Sequence, residues 1–392
     1  MAGPLAGVRV VDLTSMISGP TTTMILADQG ADVIKVENPK GGDHTRAVST
    51  KRAGMSASFV NNNRNKRSVA LDLKRPEAVD ALKALVKTAD VVVQNFRPGV
   101  VDRIGVGEAA LRAVRPDLIY VSISGFGETG PYAQKPTYDP LIQALSGLTT
   151  VQAGSDDDRP RLVRTILPDK LTGFAAAQAI SAALFHREKT GEGQHIRLSM
   201  LDTVLAFLWG SDMGGHTFVG DELETERAQS FIDLVYETAD GHISVAVQSN
   251  KEWEALTRAF GRPEWLTDPR FATAALRGEN IDDRLALTQE VLLTDTSANW
   301  LARLEAEDVP CAPVLRRRDV IRHPQIAANE ALIESDHPVA GRLRQARPAP
   351  RFSATPTELR RTAPVLGEHT AEALSEAGLS MAEIESATEG RG

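Results

Sequence analysis

Cysteine is almost absent. Cys311 is the only one in 392 residues, so no intrachain disulfide can form, and a reducing compartment suits such a chain. Cys311 lies in the apolar stretch 309–314 with no Lys or His close by, which predicts a buried structural thiol rather than a reactive one. Long hydrophobic runs are also missing. The longest candidate, residues 174–185, falls short of the roughly 20 apolar residues of a membrane span and reads as a buried helix. No basic segment followed by an apolar one opens the chain, so no signal peptide is expected. Positive charge is in deficit: 44 Lys and Arg face 52 Asp and Glu, a net charge of -8, which argues against a general nucleic-acid binder. There is no GxGxxG after the first apolar run, no P-loop, no GxSxG elbow, no paired cysteine and no HExxH. A nicotinamide dehydrogenase is thereby disfavoured, and no metal is expected. The acidic run Asp156, Asp157 and Asp158 has no companion ligand at suitable spacing and reads as a solvated turn. The expectation is a cytoplasmic protein with neither nucleic acid nor membrane as partner.

Hydrophobic residues make up 42% of the chain and charged ones 24%, proportions of a globular protein. Short β-branched runs recur at residues 8–13, 31–36, 68–73, 90–95 and 118–124. Helix-period segments separate several of them, at 21–29 and 77–88. Strands that are apolar on both faces and alternate with helices predict an α/β fold with a parallel sheet covered on both sides. Ligands collect beyond the carboxyl ends of such strands. The loops to watch are therefore 14–20, 37–46, 95–99 and 125–131. A long helix is predicted over 168–189 and a strand over 193–199. From about residue 225 the pattern changes to a hairpin over 233–247, turning at Asp240-Gly241, and to helices at 253–260, 284–293 and 297–307. This predicts a first part of a large domain at 1–224, a smaller α+β domain at 225–330, and a return to the large domain at 331–392. The return consists of a proline-rich stretch, 337–356, and a terminal helix at 370–385.

Asp169 follows Pro168 at the start of the long helix, where free backbone N–H groups and the helix dipole favour a carboxylate. Most aspartates so placed are plain caps, but a nucleophilic carboxylate would gain from the same position because it must stay ionised. Asn95-Phe96-Arg97-Pro98-Gly99 follows a buried strand and offers an aromatic platform beside a cation. Asn63-Arg64-Asn65-Lys66-Arg67-Ser68 is a basic approach to a strand, read either as a solvated turn or as a phosphate contact. Gly127 and Gly130 mark a turn whose backbone can come close to a ligand.

Taken in order, these segments resemble the class III, formyl-CoA-transferase-like, CoA-transferase family, which also includes carnitine CoA-transferases and α-methylacyl-CoA racemases. The resemblance rests on Pro4-Leu5-Ala6-Gly7 with the strand that follows, Gly19-Pro20, Ala27-Asp28-Gln29-Gly30-Ala31-Asp32, Asn65-Lys66-Arg67-Ser68, Asn95-Phe96-Arg97-Pro98-Gly99, Ser124-Gly125-Phe126-Gly127, Gly130-Pro131-Tyr132, Tyr138-Asp139, His186-Arg187 through Gly193-Gln194, and Leu366-Gly367-Glu368-His369. It spans essentially the whole chain.

The resemblance implies a Rossmann-like large domain whose parallel sheet is formed from both chain ends, with the small domain between them, and an interlocked homodimer. It implies Asp169 as nucleophile, with acyl-CoA and a carboxylic acid as substrates and no tightly bound cofactor. CoA contacts map onto Asn95, Phe96, Arg97, Arg103 and Lys135, with Met16 and Leu71 as apolar neighbours and Arg46 and Lys66 as looser candidates. Ile17, Tyr138 and Asp139 fall on the substrate side. The basic residue often found after the second strand is Asn38 here, with Lys40 as a stand-in. The polar Gln of the oxalate and formate members is replaced by Ile17, and the family's glycine-run loop has only Met213-Gly214-Gly215-His216 as a counterpart. These departures point to a larger or more apolar acid: dicarboxylic, aromatic or branched. The racemases use a His near the position of Tyr138, and Tyr is a poor base at neutral pH. A transferase is thus favoured over a racemase, and both over a non-catalytic acyl-CoA-binding protein.

Overall fold

A computed structural model of the chain describes residues 3–227 and 233–389. They form two compact units, the first holding residues up to 229 and from 330 onward, the second residues 230–329.

The first unit is built on β1 (Arg9–Asp12), α1 (Ser18–Asp28), β2 (Asp32–Glu37), β3 (Lys66–Ala70), α2 (Pro76–Lys87), β4 (Val91–Gln94), β5 (Ile119–Ser124), α3 (Asp139–Leu145), α4 (Leu148–Ala153), α5 (Leu167–Thr190), β6 (His195–Ser199) and α6 (Met200–Trp209). The six strands make one sheet in the order β3-β2-β1-β4-β5-β6, and every pairing is parallel. Successive strand residues alternate between two cores. Val11, Ile34, Val69, Val92 and Tyr120 face α2 and the C-terminal helices, while Val10, Val33, Val91, Val93 and Val121 face α1 and α5. Burial on both sides explains why these strands read as nearly continuous apolar runs. The chain runs outward from β1 to β3, then returns to β4 on the other side of β1. The order therefore reverses between β1 and β4, and the crevice beyond their carboxyl ends is where an α/β sheet takes its ligand.

The second unit carries β7 (Val235–Glu237), β8 (His242–Val245), α7 (Asn250–Phe260), α8 (Ile281–Leu292), α9 (Ser297–Ala306) and β9 (Cys311–Pro313). Its three strands are antiparallel in the order β9-β8-β7. Trp253, Trp265, Phe271 and Trp300 fill its core, with Trp253 stacked on Trp265 at 5.8 Å. Cys311 is only partly buried, so it edges this core rather than filling it.

The C-terminal segment returns to the first unit with β10 (Leu332–His337), β11 (Gly341–Ala346), α10 (Thr370–Glu376) and α11 (Met381–Thr388). Three expectations change here. Among the described residues the parallel sheet takes no strand from this end of the chain: β10 and β11 pair with each other, and the C-terminal helices contribute Ala373, Leu374, Ile384 and Ala387 to the core. The stretch expected to be a proline-rich return contains the β11 half of that hairpin. The single terminal helix is two, parted at Gly378, whose φ of 90° only glycine adopts without strain. Among the described residues no helix is long and apolar enough to cross a membrane.

Candidate active site

The basic approach to β3 is the largest departure from the sequence reading. The strand begins at Lys66, two residues earlier than its apolar pattern suggests, so the cations enter the fold with it. Arg64 pairs with Asp28 at 2.6 Å, Lys66 with Asp12 at 3.1 Å and Arg67 with Asp32 at 2.6 Å. Lys66 is fully buried and also donates to the Pro20 carbonyl and Asn63, so it has no free N–H for a phosphate. Arg46 grips both Glu37 oxygens and lies over the Phe59 ring at 3.6 Å. Neither candidate is free to hold CoA.

These charges brace the loop after β1. Asp12 accepts from the Thr14 N–H, the Thr14 hydroxyl and the Thr23 hydroxyl. Lys35 donates to the Thr14 carbonyl at 2.7 Å and pairs with Asp43 at 2.9 Å. Asp43 in turn accepts the Met16 N–H at 3.2 Å. Met16 has φ of 70°, the left-handed region that side chains avoid, and this buried network holds it there. Burial raises and the two lysines lower the pKa of Asp12, and the balance leaves it at about 2. Asn95 joins the two loops at the reversal point: its side-chain N–H donates to the Ser15 carbonyl and its oxygen accepts the Ser15 N–H. Phe96 is set by a second relay, its N–H donating to Gln94, whose amide donates to Ser122.

A cleft of about 260 Å³ opens over these loops. Met16, Ser18, Asn95, Phe96, Arg97, Lys135, Tyr138, Asp139 and Asp169 all line it, with Ser124, Gly125 and Met200 added by β5 and α6. Most of the residues named from sequence thus converge, from loops more than 150 positions apart. Three do not. Leu71 is buried in the core against α2, because the chain past β3 is still covered by that helix. Ile17 caps the start of α1 and is turned inward, 8% exposed. Arg103 is exposed but lies outside the cleft lining. Lys40 is exposed in the turn after β2, also outside the lining. The Met213–His216 segment is a short turn tied by the Gly215 N–H to Glu226, and does not line the cleft.

Asp169 is in the first turn of α5. Its Oδ1 accepts the backbone N–H of Ser18 at 3.2 Å, and its own N–H donates to Asp139 Oδ2 at 3.2 Å. The Ser18 contact exists because α1 begins at Ser18, three residues before its apolar pattern starts, leaving that N–H without an intrahelical partner. Gly173 makes the approach possible: a Cβ there would meet the Thr21 side chain at 2.8 Å and the Ser18 carbonyl at 3.0 Å. Burial first, and the charge of Asp139 second, push Asp169 up to about 6, while the Ser18 hydrogen bonds pull it down. Asp139 is also raised, again chiefly by burial. Asp169 is therefore ionised at neutral pH and more basic than a surface carboxylate, which suits a nucleophile. The helix ends at left-handed Gly191, whose N–H donates to the Arg187 carbonyl. Among the described residues no cluster of His, Cys, Asp and Glu could hold a metal.

The family model of CoA-transferase family III matches residues 5–370. The chain belongs to CoA-transferase family III, and its curated relatives are named as transferases that use CoA thioesters. It is 33% identical over 380 residues to the human succinyl-CoA:glutarate CoA-transferase, covering 95% of this chain and 86% of the human one. A succinate–glutarate CoA-transferase from Agrobacterium fabrum is 35% identical, with 95% of each chain covered. A formyl-CoA:oxalate CoA-transferase from Escherichia coli is 33% identical over 98% of both. Among solved structures, a CAIB/BAIF family protein from Brucella suis superposes with a TM-score of 0.84 at 32% identity, over 96% of this chain and all of that one.

Proposed function

We propose that this chain moves CoA from an acyl-CoA donor to a carboxylic acid through covalent intermediates on Asp169. The observation that carries the reading is the placement of one ionised, partly buried carboxylate at the end of a cleft that also presents Phe96, Arg97 and Lys135. An aromatic ring and two cations suit the adenine and phosphates of CoA. An Asp169 oxygen attacks the thioester carbonyl, the C–S bond breaks, and CoA thiolate leaves a mixed anhydride. The thiolate then attacks the Asp169 acyl carbon, releasing the donor acid and forming an aspartyl-CoA thioester. The acceptor carboxylate attacks that thioester and expels the thiolate again. The thiolate attacks the acceptor acyl carbon of the second anhydride, which gives the new acyl-CoA and frees Asp169. Dividing one hard exchange into several acyl transfers is covalent catalysis, and anhydrides require a site that excludes water.

The acceptor is proposed to be a dicarboxylic acid. Relatives are named for glutarate, succinate and oxalate, all dicarboxylic acids. A homodimer is the proposed assembly. Phe174 and Phe185, on one face of α5, are 62% and 66% exposed, and Phe207 and Trp209 of α6 about half so, large apolar side chains that a partner subunit would cover. Light scattering tests the dimer; a monomer at micromolar concentration removes it.

The deciding experiment is to incubate the chain with a panel of acyl-CoA donors, quench with hydroxylamine or borohydride, and map the modified residue by mass spectrometry. Modification at Asp169 that disappears in Asp169→Ala supports the reading. Deuterium entering the α-carbon of a 2-methylacyl-CoA, with no adduct from any donor, replaces it with racemisation.

A further inference from the structure

Gln143, on α3, is 2% exposed and uses both ends of its side-chain amide. Its Nε2 donates to Asp139 Oδ1 at 2.6 Å and to the carbonyls of Val163 and Thr165 at 3.4 and 3.3 Å. Its Oε1 accepts the Val163 N–H at 2.9 Å. The partners fix the orientation of the amide, because an ionised carboxylate only accepts and a backbone N–H only donates. Asp139, 4% exposed, then uses its second oxygen to accept the N–H of Asp169. The 163–165 segment leads into α5, ending four residues before Asp169. One side chain thus holds the aspartate that accepts from Asp169 and also the strand of chain that delivers it.

We propose that Gln143 is a positioning residue for Asp169, acting through Asp139 and the 163–165 segment to present the Asp169 carboxylate to the thioester carbonyl. This rests on the reading of Asp169 as nucleophile. A buried carboxylate that loses its hydrogen-bond donor takes up a proton or swings away, and either change alters the charge and the backbone contact next to Asp169. The other charges near the pair are Lys170 on α5, which acts on Asp139, and Arg97 and Lys135, which line the same cleft; α1 brings none in its first turn.

The test uses Gln143→Glu and Gln143→Met in the full chain. Glutamate keeps an acceptor for the Val163 N–H but turns a carboxylate toward Asp139. Its kcat is expected to fall about tenfold near neutral pH, with KM for acyl-CoA within about twofold. Activity relative to the parent recovers as the pH falls below neutral, because the new side chain takes up a proton beside Asp139 and then donates to it. Methionine lowers kcat without that recovery. Asp169 is followed in parallel by its labelling with a carbodiimide and a tagged amine, read on the Asp169 peptide as a function of pH. In Gln143→Met the labelling midpoint falls, because an unheld Asp139 becomes neutral and stops repelling the Asp169 charge. Unchanged kcat and unchanged labelling in both variants overturn the proposal. So does a loss confined to KM, or one that follows a fall in Tm at every pH. Labelling needs no CoA, which separates the two ideas: a shifted midpoint in a protein that forms no adduct with any acyl-CoA removes the nucleophile reading and leaves Gln143 as the anchor of the aspartate pair, whereas an unshifted midpoint beside a normal Asp169 adduct removes Gln143 alone.

Discussion

The backbone N–H of Ser18 points at Oδ1 of Asp169 across 3.2 Å, joining the first turns of two helices 151 residues apart in sequence. Each helix leaves free N–H groups at that end, and both dipoles favour the ionised carboxylate. Burial and Asp139 oppose them and prevail, so Asp169 ends at about 6.

Asp169→Asn keeps the shape and removes the nucleophile. Turnover is expected to drop by at least about 10³-fold with no covalent adduct, while circular dichroism is unchanged. Residual turnover within tenfold of the parent would argue against covalent catalysis at this residue.

The same substitution has a sign for stability. The folded pKa of Asp169 is raised from 3.8 to about 6, so the native state holds its proton more tightly than the unfolded chain across that window. The stabilisation is complete below 3.8 and is lost as pH rises through 6. Above that, the ionised group costs stability, by an amount on the order of 1 kcal/mol or more. Asp169→Asn should therefore raise Tm at pH 7.5 and make little difference near pH 4. The activity of the parent should rise with pH through about 6, as the nucleophile ionises.

Asp12 has the opposite linkage. Its folded value of about 2 lies below 3.8, so its contribution is present above 3.8 and lost as pH falls toward 2. Removing it leaves Lys66 buried without its anion and Lys35 with one anion fewer. Asp12→Ala is expected to cost about 3–5 kcal/mol in denaturant unfolding at neutral pH. A cost under 1 kcal/mol would show that the network under Met16 is not what fixes that loop.

Gly173→Val places a branched side chain against Thr21 and the Ser18 carbonyl, where even a Cβ comes within 3.0 Å. The helices must separate, and the Ser18 contact to Asp169 goes with them. Loss of adduct formation in a protein that still folds is the expected result, measured by mass spectrometry beside a thermal melt.

Phe96→Ala and Arg97→Ala are expected to raise KM for acyl-CoA about tenfold or more with a smaller change in kcat, since both are proposed to bind the carrier rather than the reacting carbonyl. Arg103→Ala, outside the cleft lining, should leave KM unchanged.

What the sequence determined by itself was local and periodic. Alternating β-branched runs set the parallel strands, Pro168-Asp169 marked the head of the long helix, and the order of short motifs identified the family and most of the cleft. Those signals survive without a structure because strand burial and helix ends act over a few residues. What only the tertiary structure decided was which distant groups meet. Arg64, Lys66 and Arg67 look like solvent-facing or phosphate-binding cations until Asp28, Asp12 and Asp32 arrive from other elements to neutralise them. Leu71 looks like a ligand contact until α2 covers it. Gln143 carries no motif at all, and becomes the anchor of two aspartates only when α3 and the segment before α5 are folded together. Charge pairing and desolvation depend on distance in space, and no local pattern in the chain encodes that distance.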